Sequence, residues 1–288
     1  METSELLRRV RRLEIKTRAL TNNIFAGEYH SAFKGRGMSF AEVREYQPGD
    51  DVRDIDWNVT ARMNKPYIKV FEEERELTLM LIIDLSASQR FGTRSRTQRE
   101  LTAEVAATLA FSALQNNDKV GVIFFTDRVE KFIPPQKGRK HILYIIRELL
   151  NFEPQGTRTN VAIAMEYLMR VITKRSITFV ISDFLDTRDF SQPLLIAARK
   201  HDLIGLKIYD RNMAALPDVG LIKVVDAETG HEQYVDTSSK EVRLQQQLWW
   251  RNETQKLDSL FRKNGVDYTA IATNSDFVKP LINLFARR

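Results

Sequence analysis

Oxygen-bearing side chains follow an apolar stretch in the first third of the chain. Residues 82–88 read IIDLSAS, so an apolar run ends on Asp84 and then presents Ser86 and Ser88 at alternate positions. Alternate side chains of an extended segment point the same way, so these three can converge on one point. Carboxylate and hydroxyl oxygens are hard donors, and they suit Mg²⁺ or Mn²⁺ better than zinc or copper.

Two later stretches carry oxygen donors in comparable positions. Thr157 and Thr159 lie in the loop at residues 156–160 just before a predicted helix, and Asp183 ends the apolar run at 176–182. Each motif alone is equally well explained as a helix cap or a turn. Two carboxylates held close together repel each other, and a divalent cation is the simplest group that offsets the repulsion. The three motifs together therefore favour a metal site.

The elements that must position these residues alternate from residue 77 onward. Apolar runs predict the strands, and helical periodicity predicts the segments between them. The predicted strands cover 77–84, 120–125, 129–134 at an edge, 176–183, 202–210 and 267–273. The predicted helices cover 97–116, 139–151, 160–174, 188–200, 239–264 and 276–286, and residues 221–236 suggest a hairpin turning at Thr229-Gly230.

This alternation predicts an α/β fold with a doubly wound, mainly parallel sheet that helices cover on both faces. Ligands of such sheets bind beyond the carboxyl ends of the strands, where the strand order reverses. Asp84 and Asp183 each end a predicted strand. We therefore expect the two aspartates to lie side by side if their strands are neighbours.

The segments before residue 77 form two further predicted parts. Residues 1–33 are expected to be a basic amphipathic helix and linker, residues 34–76 a small β-rich segment, and residues 77–288 the α/β domain. In the helix, an apolar stripe comprises Leu6, Val10, Leu13, Thr17 and Leu20. The helix either docks on the core or contacts an acidic partner or an anionic membrane surface through residues 1–20.

The acidic turn of the small segment has two interpretations. It contains Asp50, Asp51, Asp54 and Asp56 close to several arginines. A second metal site is conceivable. We favour a turn whose ion pairs fasten the small segment to the main domain, with Trp57 as an apolar anchor.

Composition restricts the class of protein. The 288 residues carry a net charge of +6 and no cysteine. Disulfides and thiolate metal sites are therefore excluded, and a cytoplasmic location is expected. No apolar run approaches the roughly 18–20 residues of a membrane span, and the charged N-terminus does not resemble a secretory signal.

The candidate oxygen donors resemble a known site. Asp84, Ser86, Ser88, Thr159 and Asp183 resemble, in this order, the metal-ion-dependent adhesion site of von Willebrand factor type A domains. The resemblance implies a von Willebrand A or Rossmann-like fold, in which the hydroxyls approach the metal and the aspartates bind it directly or through water. It favours Thr159 over Thr157, because the threonine of that family directly precedes its helix.

A longer stretch carries a second resemblance. Residues 40–88 are similar to the signature of the bacterial domain-of-unknown-function 58 family, which joins such a preceding segment to a von Willebrand A-like domain. Gln89 departs from that family's pattern, in which Met follows the last serine. Members are typically encoded beside MoxR-type AAA+ ATPases and are thought to work with them.

These resemblances imply a function in protein binding. The expected protein is a non-enzymatic, metal-dependent adaptor that works with a MoxR-type AAA+ ATPase in protein maturation or complex assembly. An acidic side chain of the ATPase or of a client protein would complete the coordination of Mg²⁺ or Mn²⁺.

Two functions of other classes compete with this expectation. A metal-dependent phosphoester hydrolase of the haloacid dehalogenase type needs a second aspartate two positions after the first as general acid, and Ser86 stands there. A basic nucleic-acid-binding module needs aromatic side chains beside its arginines, and residues 1–20 contain none. We therefore expect neither activity and no nucleic-acid partner.

Overall fold

The chain forms two units, one built on the alternating strands and helices and one on the turn-rich segment before them. The computed structural model describes residues 3–20, 38–73, 77–92 and 96–288. The larger unit contains Met1–Ala32 and Leu77–Arg288, and the smaller unit contains Phe33–Glu76. Each unit has a sheet of its own.

The strands from residue 77 onward lie where the sequence patterns predict them, with ends that differ by a few residues. In chain order they are β1 (Met38–Glu45), β2 (Tyr67–Glu73), β3 (Thr78–Asp84), β4 (Lys119–Phe125), β5 (Val129–Gln136), β6 (Ile177–Ser182), β7 (Asp202–Tyr209), β8 (Leu221–Val225), β9 (Glu232–Asp236) and β10 (Asp267–Ala272). Strands β8 and β9 form the predicted hairpin as a separate two-stranded sheet.

The α-helices of the described residues alternate with these strands. They are α1 (Thr3–Leu20), α2 (Trp57–Met63), α3 (Gln98–Gln115), α4 (Arg139–Asn151), α5 (Val161–Val171), α6 (Ser191–Lys200), α7 (Arg211–Ala214), α8 (Lys240–Lys263) and α9 (Val278–Phe285). The sequence patterns did not predict the short α2 and α7. Both begin at an aspartate whose side chain accepts backbone N–H groups of the first turn, namely Asp56 and Asp210.

The large sheet has the strand order β10-β7-β6-β3-β4-β5. Neighbouring strands are parallel except at the edge, where β5 pairs with β4 in the antiparallel direction. The edge position predicted for β5 is therefore confirmed, and so is the mainly parallel α/β fold.

Helices cover both faces of this sheet because the central strands are apolar on both sides. Met80 and Ile82 of β3 belong to a core that includes residues of α5, α6 and α8. Helix α3 packs against β3, β4 and β7, and the ring of Phe285 in α9 lies 6.3 Å from that of Phe179 in β6. All residues of β3 from Leu79 onward are buried, which explains why the run lacks polar alternation.

Helix α1 docks on α3 and α4. Val10, Leu13 and Thr17 of the predicted stripe are buried, whereas the side chains of Leu6 and Leu20 lie outside the described residues. Glu14 bonds to Arg139 at 2.6 Å, which adds an ion pair to the apolar contact. These contacts support the docked alternative, and contact with an acidic partner or anionic lipid stays a prediction for the exposed arginines on the other side.

In the smaller unit, the acidic turn makes local contacts. Asp50 accepts hydrogen bonds from Arg44 at 2.7 and 2.9 Å, Asp51 caps a short 3₁₀ helix, and Asp56 lies 3.6 Å from Lys69. These ion pairs join residues of the same unit. The structure gives no described contact for the carboxylate of Asp54.

Trp57 is not enclosed by its own unit: it is 68% exposed, and α2 buries none of its residues. Its role as an apolar anchor to the main domain stays a prediction. No helix of the described residues is both long and apolar enough to cross a membrane.

Candidate functional site

The candidate site lies at the point where the strand order of the large sheet reverses. From β3 the chain continues to β4 and β5 on one side, and later to β6, β7 and β10 on the other. Strands β3 and β6 are parallel neighbours, with Ile83 opposite Ile181. Asp84 and Asp183 therefore follow adjacent strands at the same edge, as predicted. This is the position at which α/β sheets bind ligands.

The first loop holds Asp84 by two hydrogen bonds. Asp84 Oδ1 accepts the Ser86 N–H at 2.8 Å, and Oδ2 accepts the Ser182 hydroxyl at 2.6 Å. The Ser86 and Ser88 hydroxyl oxygens lie 3.0 Å apart, although Ser88 lies in a 3₁₀ helix at Ala87–Arg90 and not in the expected extended loop. Asp84 and Ser86 are buried, and Ser88 is partly exposed.

The third loop buries Asp183 with one oxygen free. Asp183 is fully buried, and its Oδ1 accepts the Leu185 N–H at 3.1 Å. Asp183 Oδ2 has no hydrogen-bond partner among the residues that the structure describes. The next residue, Phe184, has φ of 55°, a left-handed conformation that costs free energy for a side chain of this size. The loop is therefore held in a strained conformation beside an unsatisfied carboxylate oxygen.

The second loop presents Thr159 and Thr157 differently. Thr159 is buried, and its hydroxyl donates to Glu228 Oε1 at 2.8 Å. Thr157 is exposed; its hydroxyl donates to the Glu228 carbonyl at 3.3 Å, and its own carbonyl accepts the Ala87 N–H at 2.9 Å. Thr157 thus joins the second loop to the first, and Thr159 has the burial that a ligand of an internal ion needs.

Close packing at Gly156 fixes the path of the second loop. Its N–H donates to Glu130 Oε1 at 2.7 Å, and the same carboxylate oxygen accepts the Thr126 hydroxyl at 2.7 Å. A Cβ on Gly156 would lie 2.2 Å from Thr126 Oγ1 and 2.1 Å from Asp127 Oδ1. Only glycine fits this approach, so the loop that carries Thr159 is positioned by the strand ends around it.

Burial and mutual repulsion disfavour two charged aspartates at this site. Burial, followed by the nearby charge of Asp183, raises the pKa of Asp84 to about 7. Burial likewise raises the pKa of Asp183, although the Ser88 hydroxyl and the Lys207 ammonium oppose the shift. The folded chain therefore has a site where added positive charge is stabilising.

Sequence reasoning missed three residues at this site. Ser182 bonds to Asp84, Glu228 bonds to Thr159, and Lys207 contributes a positive charge near Asp183. Lys207 is buried with its Nζ 4.3 Å from the centre of the Trp250 ring, and burial lowers its pKa to about 8. A lysine inside the apolar run LIGLKIY was a signal that could have identified it.

The donor set fits a hard divalent cation. No group of three or more His, Cys, Asp or Glu side chains suited to a metal occurs in the described part of the chain. The predicted ligands, by contrast, are two aspartates and three hydroxyls, which is a set of oxygen donors typical of Mg²⁺ rather than zinc. The free oxygen of Asp183 is the atom that such an ion would satisfy.

A likeness of fold is shown by a solved structure with a TM-score of 0.50, and a second structure matches more weakly. An aerotolerance-related membrane protein from Bacteroides fragilis is 14% identical with a TM-score of 0.50, and the match covers 74% of this chain and 100% of that one. The SpRpn10 VWA domain is 12% identical with a TM-score of 0.40, covering 74% of this chain and 95% of that one.

Sequence relatives are closer. Uncharacterized protein Rv1480 of Mycobacterium tuberculosis is 32% identical over 232 residues, which are 80% of this chain and 73% of that protein. Uncharacterized protein YeaD of Bacillus subtilis is 31% identical over 109 residues, 38% of this chain and 25% of YeaD. Residues 42–256 match the family model described as Protein of unknown function DUF58. Since that match spans most of the chain, the chain belongs to the DUF58 family.

Proposed function

We propose that this protein is a non-enzymatic adaptor that binds an acidic partner through a divalent cation. One observation carries the proposal: the buried Oδ2 of Asp183, which has no hydrogen-bond partner among the described residues, lies at the strand-order reversal, where Asp84 ends the adjacent strand. The residues that would hold Mg²⁺ or Mn²⁺ are Asp84, Ser86, Ser88, Thr159 and Asp183. The cation would supply a positive charge that can accept a carboxylate from outside the chain.

The donor set explains why a partner would be acidic. Three of the five proposed ligands are neutral hydroxyls, so the ion keeps much of its charge and attracts a further carboxylate. An aspartate or glutamate of the partner would lose its water on binding, and such desolvated charge pairs contribute strongly to affinity and specificity. The family resemblance supports a MoxR-type AAA+ ATPase, or a client protein that it remodels, as this partner.

The proposed class is binding rather than catalysis. Ser86 stands where a phosphatase of the haloacid dehalogenase type has its general acid, and a serine hydroxyl is too weak an acid for that step. We therefore expect no turnover of p-nitrophenyl phosphate with Mg²⁺ present. The cytoplasmic location stays a prediction that rests on the absence of cysteine.

The test is binding of the MoxR-type ATPase of the source organism to the immobilised protein, with Mg²⁺ or with EDTA. We expect capture by the wild type only with Mg²⁺, and none by Asp183→Asn in either condition. Asp189→Asn is the matched control, because Asp189 is an exposed aspartate a few residues away. Capture that survives both EDTA and Asp183→Asn would contradict the proposal.

A client protein in place of the ATPase gives a second form of the same test. Pulldown from the source lysate with and without Mg²⁺ identifies it, and the same two variants decide whether its capture depends on the site. Failure of the wild type to bind Mg²⁺ or Mn²⁺ in calorimetry would remove the basis of the proposal altogether.

A further inference from the structure

The turn between β8 and β9 places one carboxylate beside the candidate site. Residues Asp226, Ala227, Thr229 and Gly230 of this turn are exposed, whereas Glu228 is half-buried. Its Oε1 accepts the Thr159 hydroxyl at 2.8 Å, and its carbonyl accepts the Thr157 hydroxyl at 3.3 Å. Both the side chain and the backbone of Glu228 are thus attached to the second loop of the site.

The turn itself holds Glu228 in this direction. Asp226 Oδ1 accepts the Glu228 N–H at 2.9 Å, and Oδ2 accepts the Thr229 hydroxyl at 2.6 Å. Gly230 closes the turn with φ of 73°, and its N–H donates to the Asp226 carbonyl at 2.8 Å. Because these bonds lie within the turn, the hairpin can present Glu228 as one preformed element.

The Glu228 carboxylate and a cation at this site would share the Thr159 hydroxyl. The Thr159 hydroxyl donates its single hydrogen to Glu228, and its oxygen lone pairs remain available to a metal. One hydroxyl can therefore serve the cation and the Glu228 carboxylate together.

We propose that Glu228 is an internal acidic group that shields the cation site through Thr159, held there by the β8–β9 turn until an acidic partner displaces it. The inference rests on the proposed function, since both need a cation at Asp84 and Asp183. It adds a competition: the turn occupies the place at which the partner carboxylate binds. Partner binding would then move the hairpin away from the second loop.

The test compares Mn²⁺ binding by wild type, Glu228→Gln and Glu232→Gln. Glutamine keeps the shape of Glu228 but removes its charge, and Glu232 is an exposed glutamate of the same hairpin, 2.6 Å from Lys223. We expect Glu228→Gln to weaken Mn²⁺ binding roughly 10–100-fold, the range for losing a group that supports a metal ligand. Glu232→Gln should bind as the wild type does.

Two further readouts test the competition directly. Water-proton relaxation should show more Mn²⁺-bound water in Glu228→Gln than in the wild type. Acetate, used as the carboxylate probe, should displace that water at lower concentration in the variant. In wild type, hydrogen exchange of residues 226–231 should slow on addition of Mg²⁺ more than exchange of the β8 amides does.

The outcomes separate the two proposals. Equal Mn²⁺ affinity, hydration and acetate response in wild type and Glu228→Gln would overturn the role of Glu228 and leave the cation site intact. Absence of Mn²⁺ binding by the wild type would overturn the proposed function and this inference with it. If Glu228→Gln does not fold, unchanged exchange of residues 226–231 in wild type with Mg²⁺ would overturn the inference.

Discussion

The Ser182 hydroxyl donates a 2.6 Å hydrogen bond to Asp84 Oδ2, and so joins the last residue of β6 to the last residue of β3. The Ser182 hydroxyl oxygen also accepts the Phe184 N–H at 3.0 Å. A buried hydroxyl thus orients one candidate metal ligand and the loop that carries the other. Hydrogen bonds to a carboxylate are stronger than those between neutral groups, so this contact is a main determinant of the geometry of the site.

Replacing Ser182 should therefore destabilise the fold. We expect Ser182→Ala to lower the free energy of unfolding by about 1–3 kcal/mol, because it leaves Asp84 Oδ2 and the Phe184 N–H without their partner. Urea unfolding in EDTA measures the change. Ser238→Ala is the control, since Ser238 bonds to Asp236 at an exposed position. A loss below about 0.5 kcal/mol, the range of surface substitutions, would contradict the prediction.

Neutralising Asp183 should have opposite effects with and without metal. In EDTA at pH 8, Asp183→Asn should raise the free energy of unfolding by about 1–3 kcal/mol, because it removes a carboxylate whose charged form is disfavoured by burial. The wild type should gain about 2.7 kcal/mol at Mg²⁺ a hundredfold above the dissociation constant, and the variant should gain nothing. Urea titrations in EDTA and in Mg²⁺ measure both effects. An Mg²⁺ gain in the variant equal to that of the wild type would contradict the role of Asp183.

The charge of Lys207 should oppose cation binding. Its ammonium attracts Asp183 and would repel a divalent ion at the same carboxylate. We expect Lys207→Met to destabilise the protein in EDTA and to strengthen Mg²⁺ binding several-fold in calorimetry at pH 7. Lys223→Met, at an exposed position of β8, should leave both unchanged. Weaker Mg²⁺ binding by Lys207→Met would show that the lysine supports the ion instead.

His201 should make stability fall in acid. Burial, with smaller contributions from Lys200 and Arg175, lowers its pKa from 6.5 to about 4. Its Nδ1 bonds to Ser176 at 2.9 Å, and Nε2 has no partner among the described residues. The unfolded chain takes up a proton near pH 6.5 and the folded chain only near pH 4. The contribution of neutral His201 to the free energy of unfolding is therefore complete above pH 6.5. It is lost as the pH falls from 6.5 to about 4.

The measurement is urea unfolding at pH 7.5 and pH 5 in wild type and His201→Gln. The wild type should lose about 1–2 kcal/mol more than the variant on acidification, since each unit of pKa shift corresponds to about 1.4 kcal/mol. His231→Gln, at an exposed position, controls for histidine titration elsewhere. Equal losses in wild type and His201→Gln would contradict a neutral buried histidine.

The sequence by itself determined the main strands and helices of the α/β domain and the chemical types of the predicted donors. The strands at Thr78–Asp84 and Ile177–Ser182 follow from local apolar runs. Ser86 and Ser88 are close enough in sequence for their hydroxyls to meet, even though a 3₁₀ helix replaces the expected extended loop. These properties depend on residues a few positions apart, and periodicity reports them directly.

Tertiary structure alone decided which groups meet. Ser182 lies 98 positions after Asp84, and Glu228 lies 69 positions after Thr159, yet each pair shares a hydrogen bond. Nothing in local periodicity sets such contacts, because strand order and the docking of a hairpin depend on how the whole core packs. For the same reason the residue type of Trp57 did not indicate that the short helix carrying it leaves it exposed.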